Sequence, residues 1–334
     1  MRYLPILAAA SVLSFPIQAA VANDLKIVTS IRPIASLVEN VTGSNANISV
    51  LVPTNASPHN YALKPSDASS LQNADVVFWI DEYFETFLDK AIQTLPQNAN
   101  SIAFAEQSGI KVLDNRDFHE DQDHEEDEHH DEHGEDEHQD DDNDHEETHH
   151  EEEGHDEHEG HEHGESDLHI WLDPANAKTM VSIIADTLGQ MDQKNAAMYQ
   201  DNAATYSTKL DKLVAENEEK LHDASHQKFV TFHDAYQYFE ARFDLHNAGV
   251  VTLSPDVKPG AKRLKELQEK LSHDNVACVF AEPQFDAKLV QLAVEGTNVK
   301  TAILDPLGAN LESGPEFYAA LINQLSENIV GCLD

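Results

Sequence analysis

Basic residues are scarce in this 334-residue chain: 21 Lys and Arg stand against 62 Asp and Glu, for a formal net charge of −41. No basic stripe is available to neutralise phosphates, which argues against a nucleic-acid-binding protein. The same deficit argues against docking on an anionic membrane surface. Cysteine is nearly absent too. Cys278 and Cys332 alone do not make a disulfide scaffold, although they allow one bridge. Beyond the N-terminus no apolar run reaches membrane length, so the chain is not itself a channel or permease. Its length leaves room for two domains of ordinary size.

The one apolar run lies between Leu4 and Ile17, behind a single basic residue, Arg2, and is followed by Ala20-Val21-Ala22. That pattern reads as an export signal over residues 1–22, cut before Asn23. Pro16, Gln18 and a run short of ~20 residues make a membrane anchor the poorer reading. No cysteine lies near the cut, so a lipid anchor is not expected either. The mature protein is expected to be soluble and exported into an oxidising space.

What the chain has in excess is concentrated between His119 and Glu165. This stretch holds 13 of the 20 histidines and 26 of the 62 acidic residues, without one Lys or Arg. It carries −26 of the −41, leaving −15 for everything else. With no apolar side chain to bury, it cannot meet the entropy cost of folding and is expected to be a solvated loop spanning residues 117–167. Carboxylates alone would suggest an acidic solubilising linker. Neutral imidazoles add nothing to solubility by charge, whereas mixed with carboxylates they suit divalent cations. The expected weak ligands are His119, His124, His129, His130, His133, His138, His145, His149, His150, His155, His158, His161 and His163. Such a tract collects ions without geometry, so a specific site must lie in the folded parts on either side.

Those parts alternate short β-branched runs with helical patterns. Lys26–Ile31, Ile48–Val52, Asp75–Ile80 and Ser101–Ala105 read as strands, with helices expected over Pro33–Val41, from Pro65 to about Asn73, and Tyr83–Leu95. After the tract, helices are expected over Pro174–Met191 and from about Asn195 to His222. The second carries a 3.6-residue apolar stripe through Tyr199, Ala203, Tyr206, Leu210, Leu213 and Leu221. Strands at Phe229–Phe232, Gly249–Leu253, Val276–Ala281 and Val299–Leu304 then alternate with helices at Ala235–Phe243, Pro259–Leu271, Asp286–Val294 and Pro315–Ile329. The expected fold is α/β: two Rossmann-like lobes with parallel sheets, joined by one long helix. The expected division is an N-terminal lobe over 23–194, a linking helix over 195–225 and a C-terminal lobe over 226–334.

In open parallel sheets, ligands bind beyond the carboxyl ends of strands. His59, His169, His233 and Asp305 sit at such positions or on the loops after them, each flanked by Pro or aromatic residues. Three imidazoles and a carboxylate suit a Zn²⁺ site. A lone histidine is more often an ordinary surface or core residue, and His222, His226, His246 and His273 are read that way. Position alone leaves the other three evenly balanced between the two readings.

The order of motifs adds a resemblance. Ser57-Pro58-His59-Asn60-Tyr61 with Leu63-Lys64-Pro65-Ser66-Asp67, His169-Ile170-Trp171-Leu172-Asp173-Pro174, Phe232-His233-Asp234-Ala235-Tyr236 and Glu282-Pro283-Gln284-Phe285 with Leu304-Asp305-Pro306-Leu307-Gly308 occur in sequence. Together they resemble the metal-receptor class of solute-binding proteins over nearly the whole mature chain. The His/Asp/Glu-rich insertion before the second motif is similar to that of the class's zinc-binding members. The resemblance implies a non-enzymatic periplasmic receptor of a Gram-negative bacterium. It would capture Zn(II) in the interlobe cleft as a monomer and pass it to a membrane permease driven by a cytoplasmic ATPase. It assigns His59, His169 and His233 as ligands and Asp305 as a fourth. An imidazole at His233, where manganese members carry a carboxylate, favours zinc. Some zinc members have Glu just before the first histidine. Pro58 stands there in this chain, so the fourth position is open between Asp305 and water. Glu282 is placed beside the site rather than on the metal. A Cys278–Cys332 bridge is implied by the same resemblance, and export favours it. Affinity is expected to fall as pH drops through ~6.5. The competing readings are a zinc hydrolase with Glu282 as base, and a metal buffer acting through the tract.

Overall fold

The computed structural model describes residues 25–43, 46–96, 99–116, 118, 166–255 and 258–334. The expected export signal and residues 119–165 lie outside them, whereas Ser166 and Asp167, the end of the expected loop, lie inside and form a short strand with Asp167 buried. Among the described residues no helix is long and apolar enough to cross a membrane.

The first sheet contains β1 (Leu25–Thr29), β2 (Ala46–Val50), β3 (Val76–Trp79) and β4 (Asn100–Ala103), in the order β2-β1-β3-β4 and parallel throughout. All four residues of β3 are buried, as expected of a strand covered on both faces. Helix α1 (Arg32–Thr42) connects β1 to β2, with Pro33 in its first turn and Gly43 at its end in a positive-φ conformation. Helix α2 (Pro65–Gln72) leads to β3, and α3 (Asp89–Ile92) precedes β4.

Two residues on each side of the acidic tract, β5 (Leu113–Asp114) and β6 (Ser166–Asp167), pair antiparallel. Two helices follow: α4 (Pro174–Met191), capped by Asp173 through Ala175 N at 2.8 Å, and α5 (Ala196–Leu221). At 26 residues α5 is about 39 Å long. Its whole expected stripe is buried, and Asn217 joins it by bonding Leu213 O and Asn323 Oδ1.

The second sheet repeats the first: β7 (Lys228–Thr231), β8 (His246–Val250), β9 (Val276–Ala281) and β10 (Lys300–Ile303), in the order β10-β9-β7-β8, again parallel. Helices α6 (Gln237–Phe243), α7 (Ala261–His273), α8 (Lys288–Ala293) and α9 (Phe317–Leu333) complete the lobe. A disulfide joins Cys278 in β9 to Cys332 in α9, with Cα atoms 6.1 Å apart.

One apolar cluster runs from Ile27 through α4 and α5 to Leu333, so the two lobes share a core. Side-chain bonds reinforce the junction. Arg32 donates to Gly308 O and Leu311 O and stacks on Phe317, and Trp171 Nε1 donates to Pro306 O at 2.9 Å. Gly308 is required there: its φ is +63°, and a Cβ would come within 2.8 Å of the Phe317 ring.

Two elements differ from the sequence reading. The helix expected over Tyr83–Leu95 contracts to α3, preceded by turns. Asp81 Oδ1 takes Tyr83 N at 2.9 Å, while the Glu85 carboxyl folds back onto Ile80 N and Asp81 N, each at 3.0 Å. Acidic side chains that satisfy local backbone donors compete with the helix. The strand expected over Gly249–Leu253 begins earlier, at His246, because Asn247 reaches Thr231 Oγ1 and Glu240 Oε1 and so secures polar residues on an edge strand.

Glu85 is fully buried, and burial raises its pKa to about 8, opposed by its backbone donors and helped by Asp81. A raised carboxyl favours the fold while protonated, so its contribution is whole below about 4.5 and is lost as pH climbs to about 8. The loss is on the order of 3–5 kcal/mol. Glu85→Gln removes this slope. Urea unfolding of both proteins at pH 5 and pH 8.5 should move the stability difference toward the variant at the higher pH, and an unchanged difference would refute the assignment.

Candidate metal centre

Each candidate histidine sits where the fold has stopped being regular. His59 lies in a short 3-10 turn, Pro58–Asn60, on the loop after β2, where Ser57 Oγ accepts its backbone N–H at 3.3 Å. His169 follows β6 and opens the 3-10 turn Ile170–Leu172. His233 stands two residues past β7, with Thr231 Oγ1 bonded to its carbonyl at 3.0 Å. The structure brings these three together. One ligand atom from each lies within 4.8 Å of the others, and their ring centroids are 5.3 to 5.7 Å apart. Among the described residues this is the one group of three or more His, Cys or carboxylate side chains spaced to hold a metal.

The surroundings are apolar. Phe84 packs its ring edge-on to His59 and His169, Trp171 flanks His169 and Phe285 flanks His233. Between them lies a cavity of about 10 Å³, and a wider cleft of about 570 Å³ opens beyond it. The small cavity holds about one water-sized sphere. His169 and His233 are 7% and 5% exposed, whereas His59 is only half-buried and marks the accessible side.

Burial holds His59 and His169 well below 6.5, with repulsion among the rings adding to it, so both are neutral at pH 7. Burial also pushes His233 down, but the Glu282 carboxylate, with Asp234 and Asp167, outweighs it and leaves His233 raised. Two rings are held from behind by carboxylates. His233 Nδ1 lies 2.7 Å from Glu282 Oε1, and His169 Nδ1 lies 2.8 Å from Asp167 Oδ1. Such a partner fixes the ring and leaves Nε2 for a metal. His233 Nε2 is indeed buried without a hydrogen-bond partner, which is costly for a polar atom and suits one that meets an electrophile. Nitrogens at ~2.0–2.1 Å from a tetrahedral zinc stand ~3.4 Å apart, inside the 4.8 Å that bounds the present ligand-atom spacing.

Asp305 is not in the group. Its Oδ1 accepts from Gln284 Nε2 at 2.9 Å and from Leu307 N at 3.0 Å, and its Oδ2 accepts from Ala309 N. With both oxygens engaged it braces the loop after β10. Glu282 lies behind His233, and its engagement there does not suit the solvent-facing base that a hydrolase requires. His222, His226, His246 and His273 stand outside the group. The sequence reading missed Asp167. Its signal was the Asp-x-His spacing, which lets Asp167 Oδ1 also accept His169 N at 2.9 Å. Burial raises this carboxyl to about 7.

Two parallel α/β lobes bridged by one helix, with a largely buried imidazole trio at their junction, define a bilobed solute-binding protein. A family model described as zinc-uptake complex component A, periplasmic (ZnuA), matches residues 27–332, and the chain belongs to that family. It is 46% identical over 307 residues to the high-affinity zinc uptake system protein ZnuA of Brucella abortus, covering 92% of this chain and 91% of that one. It is 40% identical to the protein of the same description from Haemophilus influenzae, over 97% and 96% of the two chains. A ZnuA crystal structure, at 23% identity, superposes with a TM-score of 0.71, covering 93% of this chain and all of that one. A zinc-bound deletion mutant of ZnuA superposes with a TM-score of 0.70. At that identity the likeness speaks for the fold.

Proposed function

We propose that this chain is the periplasmic receptor of a zinc uptake system. It captures Zn²⁺ on His59, His169 and His233 and surrenders it to a membrane permease powered by a cytoplasmic ATPase. The observation that carries the reading is the meeting of three imidazoles from distant parts of the sequence around a one-atom cavity. Borderline Zn²⁺ takes three nitrogens readily, whereas Mn²⁺ prefers oxygen. With Asp305 engaged by its own loop, water is the fourth ligand. The role is binding, not catalysis: Glu282, the candidate base, is buried behind His233 and engaged with its Nδ1. The chain acts as a monomer after losing residues 1–22, with lobes at 23–194 and 226–334 on the linking helix 195–225. The acidic tract gathers ions weakly.

Deleting residues 119–165 tests this. Asp114 and Ser166 already pair, so four or five residues suffice to close a hairpin there. Calorimetric titration should retain one tight Zn²⁺ site with weaker Mn²⁺ binding and lose only the weak stoichiometry. A metal buffer acting through the tract would lose nearly all binding.

A further inference from the structure

What holds Asp167 in place behind His169 is not the sheet it belongs to. Strands β5 and β6 contribute two residues each, too few to be stable alone. The third participant comes from the other lobe. Tyr238, on α6 and 2% exposed, accepts Leu113 N at 2.8 Å and donates to Asp167 O at 2.5 Å, so one hydroxyl closes both short strands. One turn further on, Arg242 forks onto Asp173, with both nitrogen–oxygen distances 2.8 Å. Helix α6 therefore grips the His169 segment at both ends, six residues apart. Between these two grips Glu240, also on α6, pairs with Arg116, which pairs in turn with Asp234, the neighbour of His233.

From this arrangement we infer that Tyr238 and Asp167 are positioning residues for His169: α6 of the C-terminal lobe sets the angle at which the N-terminal lobe presents its imidazole to the metal. The inference rests on the zinc-binding reading above and deepens it. The chain of bonds is short and directional. Tyr238 fixes the Asp167 main chain. Asp167 Oδ1 then takes both the backbone N–H and Nδ1 of His169, so ring and backbone are oriented by one oxygen. His59, whose turn is capped by Ser57, stands outside this chain and serves as an internal reference.

The test uses the full-length protein carrying Asp167→Asn or Tyr238→Phe. Tyr199→Phe is the control, because it removes a buried phenol hydroxyl that bonds instead to Asp192, at the C-terminal end of α4. Tight-site affinity is read by competition with a zinc chelator, and the apo-state tautomer of each ring by long-range ¹H–¹⁵N NMR. Asp167→Asn is expected to weaken zinc by about 10–100-fold. Tyr238→Phe should weaken it by a smaller but measurable factor. Both should shift the His169 tautomer signal while leaving His59 unchanged, and Tyr199→Phe should change neither readout. Unchanged affinity and tautomer in Asp167→Asn would overturn the inference, as would equal losses in Tyr238→Phe and Tyr199→Phe. Retention of tight binding by His169→Ala would instead overturn the zinc site itself, so the two failures are distinguishable.

Discussion

Alanine at His169 should weaken the tight zinc site by on the order of a hundred- to a thousandfold while leaving weak, tract-borne binding in place. Apparent zinc-binding free energies of ~10–16 kcal/mol spread over four ligands make each worth about 2.5–4 kcal/mol, and 1.4 kcal/mol is a factor of ten. His169 is the most informative of the three because it is neutral, nearly buried and pre-aimed by Asp167, so little of its contribution is spent on ordering it at binding. Its removal also leaves Asp167 Oδ1 with only the backbone N–H of residue 169, at a further cost to folding of about 1 kcal/mol. Affinity and stability must therefore be measured separately. The tract-deleted protein, titrated with Zn²⁺ and unfolded thermally in its apo form, separates them. Unaltered tight binding in a folded His169→Ala protein would end the three-histidine account.

His59, half-buried on the accessible side, should cost less in stability when removed but comparably in affinity, since the metal loses a nitrogen either way. The wild-type dependence on pH follows from the same groups. His233, raised by Glu282, meets protons first as pH falls, and the two lowered rings resist them further. Loss of affinity on acidification therefore begins with a single proton rather than three at once.

Much of this fold is legible in the sequence because burial on both faces leaves continuous apolar runs, as in Val76–Trp79 and Val276–Ala281, and because α5 keeps a helical-period stripe from Tyr199 to Leu221, interrupted only at Asn217. The three histidines are legible as candidates through their place after strands. What composition could not convey is tertiary. Glu85 looks like an ordinary helical acid, yet it folds back to cap a turn, and that turn delivers Phe84 against the imidazoles. Asp305 stands after a strand like the histidines, but that its two oxygens accept from Gln284 and from backbone donors only two and four residues on depends on how the loop turns. Asp167 sits at the end of an acidic tract that masks it by similarity. Tyr238 carries no sequence signal at all, since its partners lie 125 and 71 residues away.

Replacing Cys278 and Cys332 together by alanine should lower unfolding free energy by about 2–4 kcal/mol, through release of a 54-residue separation in the unfolded chain. The two small cavities left in the core add to it, because both cysteines are at least 96% buried. Zinc affinity should nonetheless stay within about threefold, a change worth less than 1 kcal/mol. Glu282 lies just beyond the end of β9, and that strand is paired on one side with β7 and on the other with β10, so the sheet and not the sulfur bridge sets where the carboxylate meets His233. A ligand that binds only the native state stabilises it by an amount fixed by its concentration and affinity. Denaturant unfolding with and without saturating zinc should therefore give equal zinc-induced shifts in the two proteins on top of different baselines. A smaller shift in the cysteine-free protein would mean that the bridge, by tying α9 to β9, also holds the site in shape.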